Sequence, residues 1–501
     1  MTKKILVFLN LFTLHFGLAN YLQKNLDCEL YALIDTTDKP KKFFQEQKIV
    51  QFHKTWFYHD NIGIKKNYDQ DYLNYLDKRY DLDLRQLEKN DRFFSNFNNF
   101  HKFSHEEILS ILTQEGKLFE KIIDDCKPDF LVMFQPSLRH EFVFYELCKK
   151  NNIIPMIINP SFIGYSTFIS RDINLLDNLD YQNEKIKNKS FRELQNYYNE
   201  HNTNKQIIDY VNNFANSKSS LIKAGIQFLI NSDNSNEKTH YTYTGRTKTK
   251  VLFETLKNKS RKKIRQKFIE NNLETKIISK SFIYFPLQVE PDRNLLLGAP
   301  NYTNQIHSIQ QISKSLPSDF KLYVKEHPGQ NREWRKTSYY KEILKIPNVV
   351  LLSPTVPSSE IYEKCSMVIT ALGTSGFEAA FYGKPVIVFA DTIYSTLPSV
   401  QKMNSFDELP KLIKNGLKFK IKPNDLEKLL LFLERNSFDF DLFGYYTMQA
   451  HEFFYDSNLI DVKISENKMK SFLERNSDIF SNIGNILVKK IIHSEGNKIN
   501  E

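Results

Sequence analysis

Two short segments of this chain combine residue types that can hold and polarise an anion. In the first, the apolar Tyr323-Val324 runs into Lys325-Glu326-His327, a charged cluster stopped by Pro328 and Gly329. In the second, the apolar residues 368–371 lead into Gly373-Thr374-Ser375-Gly376, and Phe377-Glu378-Ala379-Ala380 of helical composition follows. A glycine turn that opens a helix leaves the first backbone N–H groups unpaired and adds about half a positive charge from the helix dipole. An anion can therefore bind there without a cationic side chain, and glycine lets a ligand approach the backbone closely. Thr374 and Ser375 add hydroxyls, while Lys325 and His327 add a cation or an N–H donor. Together these are groups suited to the phosphates and ribose of a nucleotide. The same residues have a second reading: Ser375 and Glu378 are spaced as a capping box, in which both side chains only close the helix N-terminus.

The surrounding pattern shows what positions these groups. Residues 322–324 read as a strand, 368–371 as a buried strand, 377–382 as a helix ending at Gly383-Lys384-Pro385, and 386–390 as the next strand. In an open parallel sheet the loops at the carboxyl ends of neighbouring strands converge on one crevice, so the two polar segments are expected to face a common pocket. An earlier stretch repeats the alternation: strands at 5–9, 29–34, 130–134 and 153–158, with helices at 18–24 and 141–150 between them. Residues 60–125 read as mostly helical and polar, and 170–280 as a helical insertion with a flexible centre near 231–238.

The motifs carry a resemblance. Val324-Lys325-Glu326-His327-Pro328, Ile346-Pro347-Asn348-Val349, Ser353-Pro354, residues 370–379 and Tyr382-Gly383-Lys384-Pro385-Val386 are similar to the pattern of capsular polysaccharide biosynthesis proteins, the family that includes Kdo transferases. Residues 284–291 resemble that family's entry to its second domain, although the family often has His where this chain has Gln288. The resemblance covers about 282–400 and, more faintly, 128–165. It implies an α/β fold of the GT-B type: two Rossmann-like lobes with a cleft between them, the second holding the nucleotide sugar. The expected divisions are an acceptor lobe at 1–166, a helical basic insertion at 167–281, the nucleotide-sugar lobe at 282–400, and a helical extension at 401–501 packing back on the lobes. In the more loosely similar bacterial sialyltransferases, a His-Pro pair and a Ser/Thr-rich turn hold the nucleotide phosphate. Those roles carry over to His327-Pro328 and Thr374-Ser375.

The implied activity is a metal-independent glycosyl transfer from CMP-Kdo or a related nucleotide sugar to a saccharide or lipid-linked acceptor. Donor contacts are expected at Lys325, His327, Pro328, Gly373, Thr374, Ser375, Gly376 and Glu378, with His327 acting on the phosphate. Activating an acceptor hydroxyl calls for a carboxylate or imidazole from the first lobe. Glu141 is the first choice and His140 the second, both following the strand at 130–134, and His15 and Arg139 are expected to contact the acceptor. Glu141 also suits a first-turn carboxylate favoured by the helix dipole. Two other activities fit the fold: a nucleotide-sugar 2-epimerase, which needs several acidic or His groups around one sugar, and a non-catalytic polysaccharide assembly or export protein.

No metal or other cofactor is expected, because the Asp-x-Asp pairs at Asp69 and Asp81 fall in polar helical sequence and read as solvated faces. The four cysteines are scattered and read as small core residues. The net charge of +10 is concentrated between Arg246 and Lys280, with Arg261, Lys262, Lys263, Arg265 and Lys267 packed together. Apolar Val251, Phe253, Leu256, Ile264 and Phe268 recur at helical steps, so 246–280 reads either as a basic amphipathic helix for an anionic membrane or as a solvated face. No nucleic-acid-binding signature accompanies the charge. Lys3-Lys4 and the apolar residues after them superficially resemble a signal peptide, but Asn10 and His15 interrupt the run and a buried first strand explains it better. The expected location is cytoplasmic, at most peripheral to the inner membrane face.

Overall fold

The computed structural model describes residues 2–177, 180–201, 218–231, 235–330 and 335–496. The first sheet begins with β1 (Lys3–Leu9), β2 (Cys28–Ile34), β3 (Lys54–Phe57), β4 (Phe130–Phe134), β5 (Ile154–Pro160) and β6 (Ser166–Ser170). The second contains β7 (Phe282–Pro286), β8 (Lys321–Lys325), β9 (Val349–Leu352), β10 (Met367–Thr370), β11 (Val386–Val388) and β12 (Val400–Lys402). A two-residue β13 (Phe438–Asp439) returns to pair antiparallel with β6. The strand orders are β13-β6-β5-β4-β1-β2-β3 and β12-β11-β10-β7-β8-β9.

The central strands are apolar at consecutive positions because helices cover both faces of each sheet. Ile5 to Leu9 of β1 are all buried, and so are Met367 to Thr370 of β10. Side chains alternate between faces, so Ile5, Val7 and Leu9 enter one core while Leu6 and Phe8 enter another. The second sheet divides in the same way, Phe282 and Tyr284 on one side and Ile283 and Phe285 on the other.

The boundaries differ in detail from the expected ones. β6 begins at residue 166 and carries the first sheet on to Ser170, and β12 carries the second sheet past residue 400. The described parts of 167–281 after β6 contain the helices Phe191–Glu200, Lys218–Asn231, Ser235–Thr239 and Lys248–Asn272. The first of these packs on the second lobe, where Tyr198 stacks on Phe381 at 4.4 Å between ring centres. Of the stretch read as a flexible centre, residues 232–234 lie outside the described residues, and Ser235–Thr239 is a short helix.

The extension after the second sheet crosses back as expected. Leu429 and Leu430 join the second lobe's core, whereas Phe453, Phe472, Ile483 and Leu487 join the first lobe's. Its last helix, Ser477–Gly496, lies against Leu14–Asn25, with Tyr21 hydrogen-bonded to Asn485. The two Asp-x-Asp pairs prove to be helix ends: Asp69 and Asp83 are side-chain N-caps, and Asp81 is a left-handed C-cap.

Candidate active site

On the second lobe, the carboxyl ends of β8 and β10 bring Lys325 and the Gly373 turn together, as their spacing suggested. Lys325 is buried and donates from Nζ to Ser358 Oγ at 2.9 Å, at the start of the helix Ser358–Lys364. Burial pulls its ammonium down to about 8, against the opposing charge of Glu378. Glu378 Oε1 accepts from Thr374 Oγ1 at 3.1 Å. The helix Thr374–Phe381 starts one residue before Ser375; its N-cap is Gly373, which provides no side-chain bond. The capping box is therefore not formed, and Ser375 lies inside the first turn.

The glycines answer to packing as well as to any ligand. A Cβ on Gly376 would lie 2.6 Å from Tyr394 Oη, and one on Gly373 would lie 2.6 Å from Gln288 Nε2. Tyr394 Oη donates to Gly373 O at 2.6 Å, and Gln288 Nε2 donates to Thr370 Oγ1 at 3.2 Å. The expectation that these glycines admit a ligand to the backbone is thus corrected at those two positions, where protein side chains fill the space.

His327 stands exposed beyond the end of β8. Its Nδ1 accepts from Gly329 N–H at 3.0 Å, so the neutral ring carries its proton on Nε2, which is left as a donor. The preceding Glu326 is buried and held by Arg335 Nη1 at 2.6 Å and Tyr340 Oη at 2.5 Å. That ion pair fixes the strand end on which His327 stands.

On the first lobe the geometry rearranges the sequence expectations. His15 lies not on a loop but in the first turn of Leu14–Asn25, fully buried, and burial lowers its imidazole to about 4 despite a bond to the Met133 backbone. Its Nε2 has no hydrogen-bond partner. Arg139 is buried too: its Nε meets Asp91 Oδ2 at 2.6 Å, and its two terminal nitrogens meet Glu115. A guanidinium engaged in this way is part of the core, so the expected acceptor contact gives way to an ion pair. Glu141 Oε2 accepts from Ser137 N at 2.7 Å, Leu138 N at 3.0 Å and Ser137 Oγ at 3.2 Å. Its first-turn capping role is what the geometry displays.

His140 has a partner that the sequence did not reveal. Its Nε2 lies 2.9 Å from Oδ2 of Asp35, and His59 Nε2 lies 3.0 Å from the other oxygen of the same carboxylate. Burial pushes the Asp35 carboxyl up, but the hydrogen bonds and charges of His140 and His59 outweigh it and hold the group well below the usual range. His140 is likewise raised, its burial being outweighed by Asp35. His140 Nδ1 is buried without a partner. His59 also lies against His240 with their rings tilted by 40°, 3.9 Å between ring centres, and burial followed by the charge of His59 lowers His240 to about 4. Asp35 directly follows β2, so the strand-end rule that selected His140 would also have found it. Among the described residues, Asp35, His140 and Glu141 bring ligand-type atoms within 4.8 Å of one another. The Asp35 carboxylate and His140 Nε2 already serve the hydrogen bonds just described, and the Glu141 carboxylate serves the helix cap.

The lobes are joined beside this cluster. Arg293, after β7, donates from Nε to Pro136 O at 2.8 Å and from Nη2 to Asn174 Oδ1 at 3.2 Å. Burial lowers its guanidinium to about 10. The loop before Arg139 is thereby tied to the second lobe.

Residues 193–402 match the family model described as capsule polysaccharide biosynthesis protein. The match covers 210 of the 501 residues. The capsule-family segment spans the whole second sheet, including Lys325, His327 and the Gly373 turn. No curated protein matches the sequence significantly. Among solved structures, UDP-GlcNAc 2-epimerase from Methanocaldococcus jannaschii is similar at 11% identity and TM-score 0.25, over 86% of this chain and 98% of its own. Thermosulfurimonas dismutans KpsC, a beta Kdo 2,7 transferase, is similar at 13% identity and TM-score 0.27, over 66% of this chain and 90% of its own. Likeness at that level does not distinguish one reaction from the other.

Proposed function

We propose that this protein is a glycosyltransferase of capsule or surface-polysaccharide assembly, moving a sugar from CMP-Kdo or a related nucleotide sugar to a saccharide or lipid-linked acceptor. The observation that carries the reading is the meeting of Lys325, Thr374, Ser375 and Glu378 at the ends of β8 and β10, beside the free Nε2–H of His327, within the capsule-family segment. Glycosyl transfer needs the leaving phosphate stabilised as negative charge develops on it, and fixed donors and cations aimed at that charge act most strongly in a closed cleft. His327 and Lys325 supply an N–H and an ammonium, and the helix start at Thr374 supplies backbone dipoles.

The acceptor's proton goes to the first lobe. His140 takes it on Nδ1, while Asp35 holds Nε2 and raises the ring's basicity, as a carboxylate does for a general-base histidine. Glu141 orients that loop by capping its helix. The transfer proceeds without a bound metal, in the cytoplasm. Screening the purified protein against CMP-, UDP- and GDP-sugars by thermal shift identifies the donor, because a ligand at ~100 times its dissociation constant adds about 2.7 kcal/mol.

One observation favours a second reading. Asp35, His59, His140 and Glu141 gather several acidic and imidazole groups in one place, the equipment a nucleotide-sugar 2-epimerase requires. Epimerised nucleotide sugar formed with no acceptor present would establish that activity. Donor binding without any turnover across a broad acceptor panel would point to an assembly or export protein.

A further inference from the structure

The helix Lys218–Asn231 is amphipathic the wrong way round for a helix facing water. Its inward side is Ala224, Gln227 and Phe228: Ala224 is buried and the other two are half-buried, and Gln227 lines a cavity of about 710 Å³ together with the exposed Asn231. Asn231 is anchored there through its carbonyl, which accepts from Lys39 Nζ at 2.7 Å. The outward row is Leu221, Ile222, Ile226, Leu229 and Ile230, and Ile230 is 70% exposed. A neighbouring helix, Lys248–Asn272, packs Phe268 and Ile269 on the second lobe's core, but its earlier turns also present an apolar row to the outside: Val251, Glu254 and Asn258 are half-buried, whereas Leu252, Phe253, Leu256 and Ile264 turn outward, with Phe253 68% exposed. Lys248 Nζ donates to Leu229 O at 2.9 Å, which ties the two helices into one surface. Hydrophobic residues at this density on a water-facing surface mark an interaction site.

Charge identifies the occupant. On these two helices Lys and Arg outnumber the acids, Glu254 and Glu270, several-fold, and Lys257, Lys262 and Lys263 are exposed beside the apolar row. The cavity behind the first helix is lined by Lys39, Lys41, Lys42 and Lys463 against Asp38 and Asp461, the last lying 3.6 Å from Lys39. A protein partner would have to supply a matching acidic rim, whereas an anionic bilayer offers acyl chains and negative headgroups in the same layered order. Among the described residues no helix is long and apolar enough to cross a membrane, so the contact is interfacial.

We infer that Lys218–Asn231 and Lys248–Asn272 form a paired lipid-insertion surface, with Ile222, Ile226, Ile230, Phe253 and Leu256 entering the headgroup boundary of an anionic phospholipid bilayer while the flanking lysines meet its phosphates. The inference extends the basic-helix expectation for 246–280 to a second helix, and it does not depend on which reaction the cleft performs. The test is flotation of the full-length protein with vesicles of phosphatidylcholine alone or mixed with phosphatidylglycerol, with light scattering for oligomeric state and thermal shift for nucleotide binding. The protein should float with the mixed vesicles and release at high salt. The triple variant Ile222→Ser, Ile226→Ser, Ile230→Ser and the double variant Phe253→Ser, Leu256→Ser should each bind at least about tenfold more weakly, with nucleotide affinity unchanged. Three results overturn the inference: no flotation of the unmodified protein, equal flotation with neutral vesicles, or a dimer that the serine variants convert to monomer, which would make the face a contact between copies of this chain. A glycosyltransferase reading that failed would leave the vesicle result untouched.

Discussion

Replacing His327 by Ala separates a phosphate-binding role from a structural one, because the structural contribution of the ring is small and visible. The ring accepts one hydrogen bond, from Gly329 N–H, on an exposed loop. Losing such a bond costs about 1 kcal/mol. The strand end itself is held by Glu326 with Arg335 and Tyr340, and His327 meets them through its backbone N–H, which donates to Glu326 Oε1 at 2.6 Å and is kept in the Ala variant. The Nε2–H is the group proposed to meet the leaving phosphate, and removing one preorganised donor of that kind costs about 3 kcal/mol at the transition state, or 10²–10³ in turnover. His327→Ala should therefore melt close to the unmodified protein while losing at least about a hundredfold in acceptor-dependent nucleotide release. Nucleotide affinity should fall in part. His327→Gln, which keeps an acceptor and an N–H donor, should recover some of the lost rate. The reasoning fails if the Ala variant retains full affinity and turnover, or if its activity loss tracks loss of the fold in near-UV circular dichroism.

Three further outcomes follow from the same geometry. Ser375→Ala should change stability by no more than about 0.5 kcal/mol, since Ser375 is not the helix cap, while weakening nucleotide binding about tenfold in titration calorimetry; equal binding would remove Ser375 from the donor site. Burial pulls the Lys325 ammonium down to about 8, and the ammonium is the form that would meet a phosphate, so on the proposed reading nucleotide affinity should hold below that pH and fall by about tenfold per pH unit above it. Lys325→Met should abolish that dependence. Arg139→Ala leaves Asp91 and Glu115 buried without their partner and should cost about 3–5 kcal/mol in denaturant unfolding, with donor affinity preserved in the folded fraction; a stable variant with an acceptor-specific defect would restore Arg139 to the acceptor site.

What the sequence made legible was local. The strand into Lys325 and the glycine turn after β10 announce themselves within a dozen residues, because apolar runs, Pro328 and the Gly373 turn are short-range signals. Arg139 was misjudged because its partners Asp91 and Glu115 lie 48 and 24 positions away, and nothing in the local pattern of Arg139-His140-Glu141 tells a buried ion pair from an open cation. The pairing of Asp35 with His140 escaped for a related reason: only the parallel alignment of β1 with β2 and β4 brings Asp35 to His140, 105 positions on. β3 and β13 are too short for a periodic signal; their pairing comes from the strands beside them. The inverted helix Lys218–Asn231 was hidden because composition alone does not say which row faces inward.

The most direct measurement of the central claim follows the donor by ³¹P NMR, with the purified protein, CMP-Kdo or the nucleotide sugar chosen by thermal shift, and EDTA throughout. The account predicts that free nucleotide appears when a saccharide acceptor is added, far faster than in its absence, and that His140→Ala and His327→Ala each suppress it. Conversion of the donor to an epimeric nucleotide sugar without any acceptor would contradict the transferase reading, and activity abolished by EDTA and restored by a divalent cation would contradict the metal-free chemistry assigned to the cleft.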